Sequence, residues 1–208
     1  MTTDSIELRL INQSADANNS SILLFQKNVA TNYDELAVAW QVIDNLGAGW
    51  VHPFRYDLNL QVSAADSWGN YVPPQDTSDG QLWTVSKDSS GDQLKPTGPA
   101  NSAQEVQILN GLTQGAVAAC IYRSGKLLAV KTGIAPGQKA AFVFKPMLWI
   151  GVASQIEEGD ILDSAIITNV NAQLNLTGIA SADIVMSGGG PGRNSRPFSF
   201  SLQNVKRM

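Results

Sequence analysis

The chain is short of the side chains that carry most covalent and metal chemistry. Its 208 residues include one cysteine, Cys120, and one histidine, His52. A lone cysteine excludes an internal disulfide and fits a reducing compartment. One Cys and one His do not make a four-ligand zinc site within a single chain. Nucleophilic hydrolysis needs a base beside the nucleophile, and a His52–Cys120 dyad is the sole pairing available. Cys120 stands mid-strand in Ala118–Ala119–Cys120–Ile121, where a buried, inert thiol is the expectation. The expectation is therefore a protein that is not an enzyme and uses no cofactor.

Charge is scarce as well. Asp, Glu, Lys and Arg make up 15% of the chain, against about 25% in an ordinary domain. The net charge is −4 with no basic run, so no nucleic-acid partner is expected, because phosphate contacts need Lys and Arg. The small cluster Lys206–Arg207 reads as a solvated tail. No apolar run reaches the roughly 20 residues of a membrane-spanning helix. Met1–Thr2–Thr3–Asp4–Ser5 has no cationic stretch leading into an apolar one, so no export signal is read. A cytoplasmic location is expected, with release only by a signal-independent route. The sequons at Asn18, Asn19 and Asn175 are accidental on that reading.

What is present is alternation. Between Phe54 and Ala64 apolar and polar residues alternate without a break, the period-2 mark of a strand with one buried and one wet face. The pattern returns from Ile166 to Thr177, with Ile166, Val170, Ala172, Leu174 and Leu176 on one face. Asn169, Asn171, Gln173 and Asn175 share the other. Residues 36–43 carry mixed helix and strand signals and are read as a strand. Arg123–Ser124–Gly125 marks a hairpin between 115–122 and 126–132, and residues 187–196 read as a tight glycine-rich loop before a last strand at 198–202.

About a dozen short strands in close succession predict an all-β fold. The expected architecture is an antiparallel, jelly-roll-like β-sandwich forming a single domain over 1–208. A loop-rich insert is expected at about 65–104, interrupted by one strand at 81–86. Trp40, Tyr56, Phe142, Phe144 and Trp149 are the expected core aromatics.

Several clusters invite functional readings. Trp50, Trp68, Tyr71 and Trp83 stand beside Gly, Asn and Asp rather than in apolar runs. An aromatic face against a sugar ring, with Asp66 and Asn70 for hydroxyls, makes a lectin-like site. The competing reading is that these rings pin loops onto the sheets. Asp76, Asp79, Asp88 and Asp92 follow no calcium-loop spacing, so turn chemistry is expected and no metal. Asp66 and Glu105 as a glycosidase pair carry almost no signal. Residues 187–193 resemble a phosphate cradle only superficially, because strand follows instead of helix. Arg193 and Arg196 remain as anion or partner contacts.

Three functions compete on these grounds. The leading one is a structural, self-assembling homo-oligomer joined through the weakly charged amide faces of Asn169, Asn171, Gln173 and Asn175. A second is a glycan- or cell-surface-binding module using the aromatic loops. The third is a β-pore, with residues 115–132 as the detachable hairpin.

Overall fold

A computed structural model describes residues 5–18, 20–30, 36–168 and 170–208. Of the described residues 58% are strand and 4% helix, so the all-β class holds. In order, the strands are β1 (Ser5–Asn12), β2 (Ser21–Phe25), β3 (Leu36–Ala37), β4 (Gln41–Ile43), β5 (Val51–Asp57) and β6 (Leu60–Asp66). Then come β7 (Gln75–Thr77), β8 (Gln81–Asp88), β9 (Gly91–Pro99), β10 (Val106–Asn110), β11 (Val117–Arg123) and β12 (Lys126–Ile134). β13 (Lys139–Phe142), β14 (Met147–Ala153), helix α1 (Ser164–Thr168), β15 (Ala172–Asn175), β16 (Ile179–Gly189) and β17 (Arg196–Arg207) complete the chain. Among the described residues no helix is long and apolar enough to cross a membrane.

The packing divides the chain into two compact units. Unit 1 comprises Met1–Gln26, Val38–Leu58 and Pro146–Met208; unit 2 comprises Lys27–Ala37 and Asn59–Lys145. Unit 1 holds two four-stranded sheets, in the orders β17-β16-β1-β5 and β15-β14-β2-β4. Alternation along β1 buries Ile6, Leu8 and Leu10 completely. Trp40 and Tyr56 pack in a T-shaped pair with ring centroids 5.9 Å apart, and the Gln26 amide donates to the Tyr56 hydroxyl at 2.6 Å. Unit 2 has a four-stranded sheet, β13-β10-β8-β9, and a five-stranded one, β3-β12-β11-β6-β7. Val62, Ile108, Ile121, Leu128 and Phe142 form its centre, each fully buried. Of the expected core rings, Trp40, Tyr56 and Phe142 are buried, whereas Trp149 and Phe144 are half-buried.

The hairpin at 123–125 forms as expected. Arg123 pairs with Lys126, and Ser124 and Gly125 both take positive φ (54° and 73°), the two-residue turn that matches strand twist. Elsewhere the structure corrects the reading. The pairings are not all antiparallel: β1 runs parallel to β16, and β8 parallel to β10.

The unbroken alternation at 54–64 is two strands. β5 ends at Asp57 and pairs with β1, while β6 starts at Leu60 and pairs with β11 and β7 in the other unit. The two intervening residues preserve parity, so the period runs through the break. Leu58, 38% exposed between the buried Tyr56 and Leu60, marks the break.

At 166–177 the amide strand shrinks to β15. Residues 164–168 are helical because the Asp163 carboxylate accepts the Ile166 N–H (2.9 Å), capping the first turn. Residues 36–43 likewise split into β3 and β4. The supposed loop region at 65–104 contains β7 and the long β8–β9 hairpin. At 187–196, β16 reaches Gly189, followed by a 3-10 turn at Gly192–Asn194. A Cβ on Gly188 (φ +94°) would lie 2.2 Å from the Pro197 carbonyl oxygen; only glycine admits that approach. Lys206 and Arg207 are not a tail: they lie in β17, opposite Ser181 and Ile179.

Candidate functional site

Unit 2 gathers four of the sequence-derived binding residues on one loop. β6 ends in Asp66, whose Oδ1 accepts the N–H groups of Trp68 (2.8 Å) and Asn70 (2.9 Å). Its Oδ2 accepts the Asn70 side-chain amide at 2.9 Å. The Asp66 N–H in turn donates to the Asn70 carbonyl at 2.8 Å. Gly69 takes φ +88° to close this turn. The Asn70 side chain, joined by the loop N–H groups, holds the Asp66 carboxyl below its usual pKa, because hydrogen bonds to the anion favour it. Ala65 bridges to Tyr71, and Val72 N–H donates to the Ala64 carbonyl at 2.8 Å. The loop is thus anchored at its base and tied across its middle. It holds Trp68 87% and Tyr71 69% exposed.

Two clefts flank this loop, of about 370 and 630 Å³. Asp66, Lys87 and Asp92 line both; Asn70 and Tyr71 border the smaller, Trp68 the larger. Lys87 and Asp92 are direct cross-strand partners in the β8–β9 hairpin. Among the described residues neither enters an ion pair. The arrangement therefore presents two ring faces, the Asp92 carboxylate and the Lys87 ammonium group beside a loop held in shape by Asp66 and Asn70. Such a set can stack on the C–H face of a sugar and exchange hydrogen bonds with its hydroxyls.

The other aromatics do not join it. Trp83 is buried, and its Nε1–H donates to Thr77 Oγ1 at 2.8 Å, so this ring joins the two sheets of unit 2 and has no free face. Trp50 is 66% exposed but belongs to unit 1, where its N–H donates to the Gly47 carbonyl (3.0 Å) and its ring lies over Gly47.

His52 lies in β5 of unit 1, its Nε2 3.5 Å from Gln41 Nε2. Cys120 belongs to β11 of unit 2, half-buried on the face opposite Ala119 and Ile121. Burial pushes the Cys120 thiol up, which keeps it protonated and weakly nucleophilic.

Each acidic candidate for calcium has a separate setting. Asp76 accepts from Gln61 Nε2 (3.0 Å), and Asp88 accepts the Ser90 N–H (2.7 Å) in the turn before β9. Burial raises the pKa of Asp79, with Arg123 opposing it. Among the described residues no three His, Cys, Asp or Glu side chains are grouped to hold a metal ion. Glu105 accepts from Gln107 Nε2 at 2.6 Å.

The amide face is occupied by the chain itself. Asn171 Oδ1 accepts the Val152 N–H (2.8 Å), and its Nδ2 donates to the Phe198 carbonyl (3.0 Å), bridging β14 and β17. The Gln173 amide donates to Met147 Sδ. Asn175 Oδ1 accepts the Thr177 N–H at 2.9 Å. Asn169 lies outside the described residues. Arg193 in the 3-10 turn and Arg196 at the start of β17 are exposed.

Sequence reading missed Lys87 altogether and took Asp92 only as a calcium candidate. The signal was present in Lys87–Asp88–Ser89–Ser90–Gly91–Asp92, a hairpin turn that sets its flanking residues opposite each other. No family model, curated protein or solved structure matches this chain.

Proposed function

We propose that the chain is a non-catalytic recognition protein that binds sugar residues at the Asp66–Tyr71 loop of unit 2. One observation carries the reading: Trp68 and Tyr71 stand exposed on a hydrogen-bonded loop whose adjoining clefts share Asp66, Lys87 and Asp92. Large rings are normally buried, and two held out on a tied loop are preorganised for stacking. A glycan array, followed by calorimetry on the best hit, tests the proposal. Trp68→Ala and Tyr71→Ala are each expected to weaken binding at least about tenfold, as for an interface anchor. Retention of no glycan by the native chain, or undiminished affinity in both variants, would overturn it.

Self-association is the second reading, and a different feature favours it. β5 closes one sheet of unit 1, and Trp50, Val51 and Leu58 are exposed along it (66%, 48% and 38%). An open edge beside apolar side chains suits pairing with another copy. Light scattering during size-exclusion chromatography decides this reading. A dimer or larger species that Trp50→Ala dissociates supports it, and a monomer at high concentration removes it. The pore reading loses support from the position of its hairpin. β11 is paired on both sides, by β6 and β12, so release breaks two ladders. In place of the single jelly-roll-like sandwich expected over 1–208, we propose a β-sandwich in each unit, a reading supported by Gln26–Tyr56 in unit 1 and Trp83–Thr77 in unit 2.

A further inference from the structure

Unit 1 contains a cleft that the sugar-binding reading does not use. β2 reads Ser–Ile–Leu–Leu–Phe, and Ile22, Leu23, Leu24 and Phe25 are all buried. A strand buried on both faces needs cover on its second face as well. Ile22 and Leu24 belong to one face, with Val152 and Ile150 of β14 as their register partners. Leu23 and Phe25 belong to the other, where Phe25 stacks on Trp149 with centroids 6.2 Å apart.

Along that second face the side chains then shrink. Gly151 faces Leu23, and Ala153 faces Ser21. Val170 and Asn171 lie over Gly151, and beside them a cleft of about 670 Å³ opens at Val152 and Ala153, walled by Ala165 and Ile166 of α1 and by Val170. Ser154 and Gln155 stand at its rim, and Gln155 takes φ +58°, a left-handed conformation uncommon outside glycine. Among the described residues no Asp, Glu, Lys or Arg lines it.

The geometry points to a second binding site here, for a single neutral small molecule with an apolar body and a hydroxyl or carbonyl group at one end. The size lies within the range of small-molecule sites, roughly 300–1,000 Å³. A charged ligand is excluded because it would lose water without gaining a counter-ion. The apolar body lies against Ala153, Ile166 and Val170, and the polar end faces the hydroxyl and amide of Ser154 and Gln155. This site is independent of the Asp66–Tyr71 loop.

Titration of the full chain with N-phenyl-1-naphthylamine, a neutral probe that brightens in apolar surroundings, tests it. The native protein is expected to give a saturable rise at one probe per chain. Ala153→Phe fills the floor, and Ala165→Phe fills the cleft from the exposed side of α1. Each is expected to weaken probe binding at least tenfold with the urea midpoint retained. If Ala153→Phe does not fold, Ala165→Phe alone decides. No saturable signal from the native chain, or full binding by folded Ala165→Phe, would overturn the assignment.

Discussion

The Asp66–Tyr71 loop and the segment at 171–175 look alike as sequence, since each combines amides with scattered apolar residues. They differ in what their polar atoms are doing. At 171–175, Asn171, Gln173 and Asn175 are engaged by β17, Met147 and Thr177 respectively. At 66–71 a single carboxylate satisfies the loop's own donors and leaves two rings idle beside Lys87 and Asp92. A polar residue on a wet face is therefore no sign of an interaction surface. What counts is whether its hydrogen-bonding capacity is already committed.

The sharpest way to test this contrast is through the two tryptophans. Trp83→Ala is expected to destabilise unit 2 by about 3–5 kcal/mol, the usual loss for a truncated core ring, measured by urea unfolding. The Arg9–Asp183 pair gives the next effect. Arg9 donates to both Asp183 oxygens (2.7 and 2.8 Å), and Asn204 adds a third bond at 2.7 Å. Arg9, then Asn204, holds the nearly buried Asp183 carboxyl below its usual range. A lowered native pKa contributes stability above the unfolded value, about 3.9, and that contribution disappears as pH falls through the native one. Arg9→Met is therefore expected to lower the urea midpoint at pH 7. Its deficit should narrow below about pH 4, and an unchanged deficit in acid would count against the pair.

Asn171→Ala is expected to cost about 1–2 kcal/mol by breaking its two bridging bonds, with sugar binding, read by calorimetry, intact. Loss of binding with retained stability would reverse the comparison made above. The smallest change in stability belongs to Trp68→Ala, within about 0.5 kcal/mol, even though it removes a ring proposed to hold ligand. A large destabilisation there would identify Trp68 as a loop anchor instead.

Much of the fold is legible in the sequence. The 123–125 turn, the strand at 81–86 and the burial of Trp40, Tyr56 and Phe142 follow from local composition. The break at Leu58–Asn59 was hidden because two residues leave a two-residue period in phase. Helix α1 was hidden because Ile166 and Val170 also satisfy the strand pattern, although Asp163 before Ser164 marked its start. Of the site, Asp66, Trp68, Asn70 and Tyr71 were legible as neighbours in sequence. Lys87 was not, because it comes to the same clefts as Asp66 only once β6 and the β8–β9 hairpin fold into one unit. The burial of Trp83 is not legible in the sequence, because it depends on Thr77 of β7, a three-residue strand without an apolar pattern.

Local chemistry by itself determined that this chain forms ribbons with dry and wet faces, because side-chain alternation is a consequence of the pleat and needs no distant partner. Tertiary structure decided which ribbon joins which sheet and which polar atoms stay unengaged. Those outcomes depend on groups far apart along the chain, such as Arg9 with Asp183 or Asn171 with Phe198. A hydrogen bond is satisfied by whatever the fold brings within about 3 Å, and sequence order does not encode that.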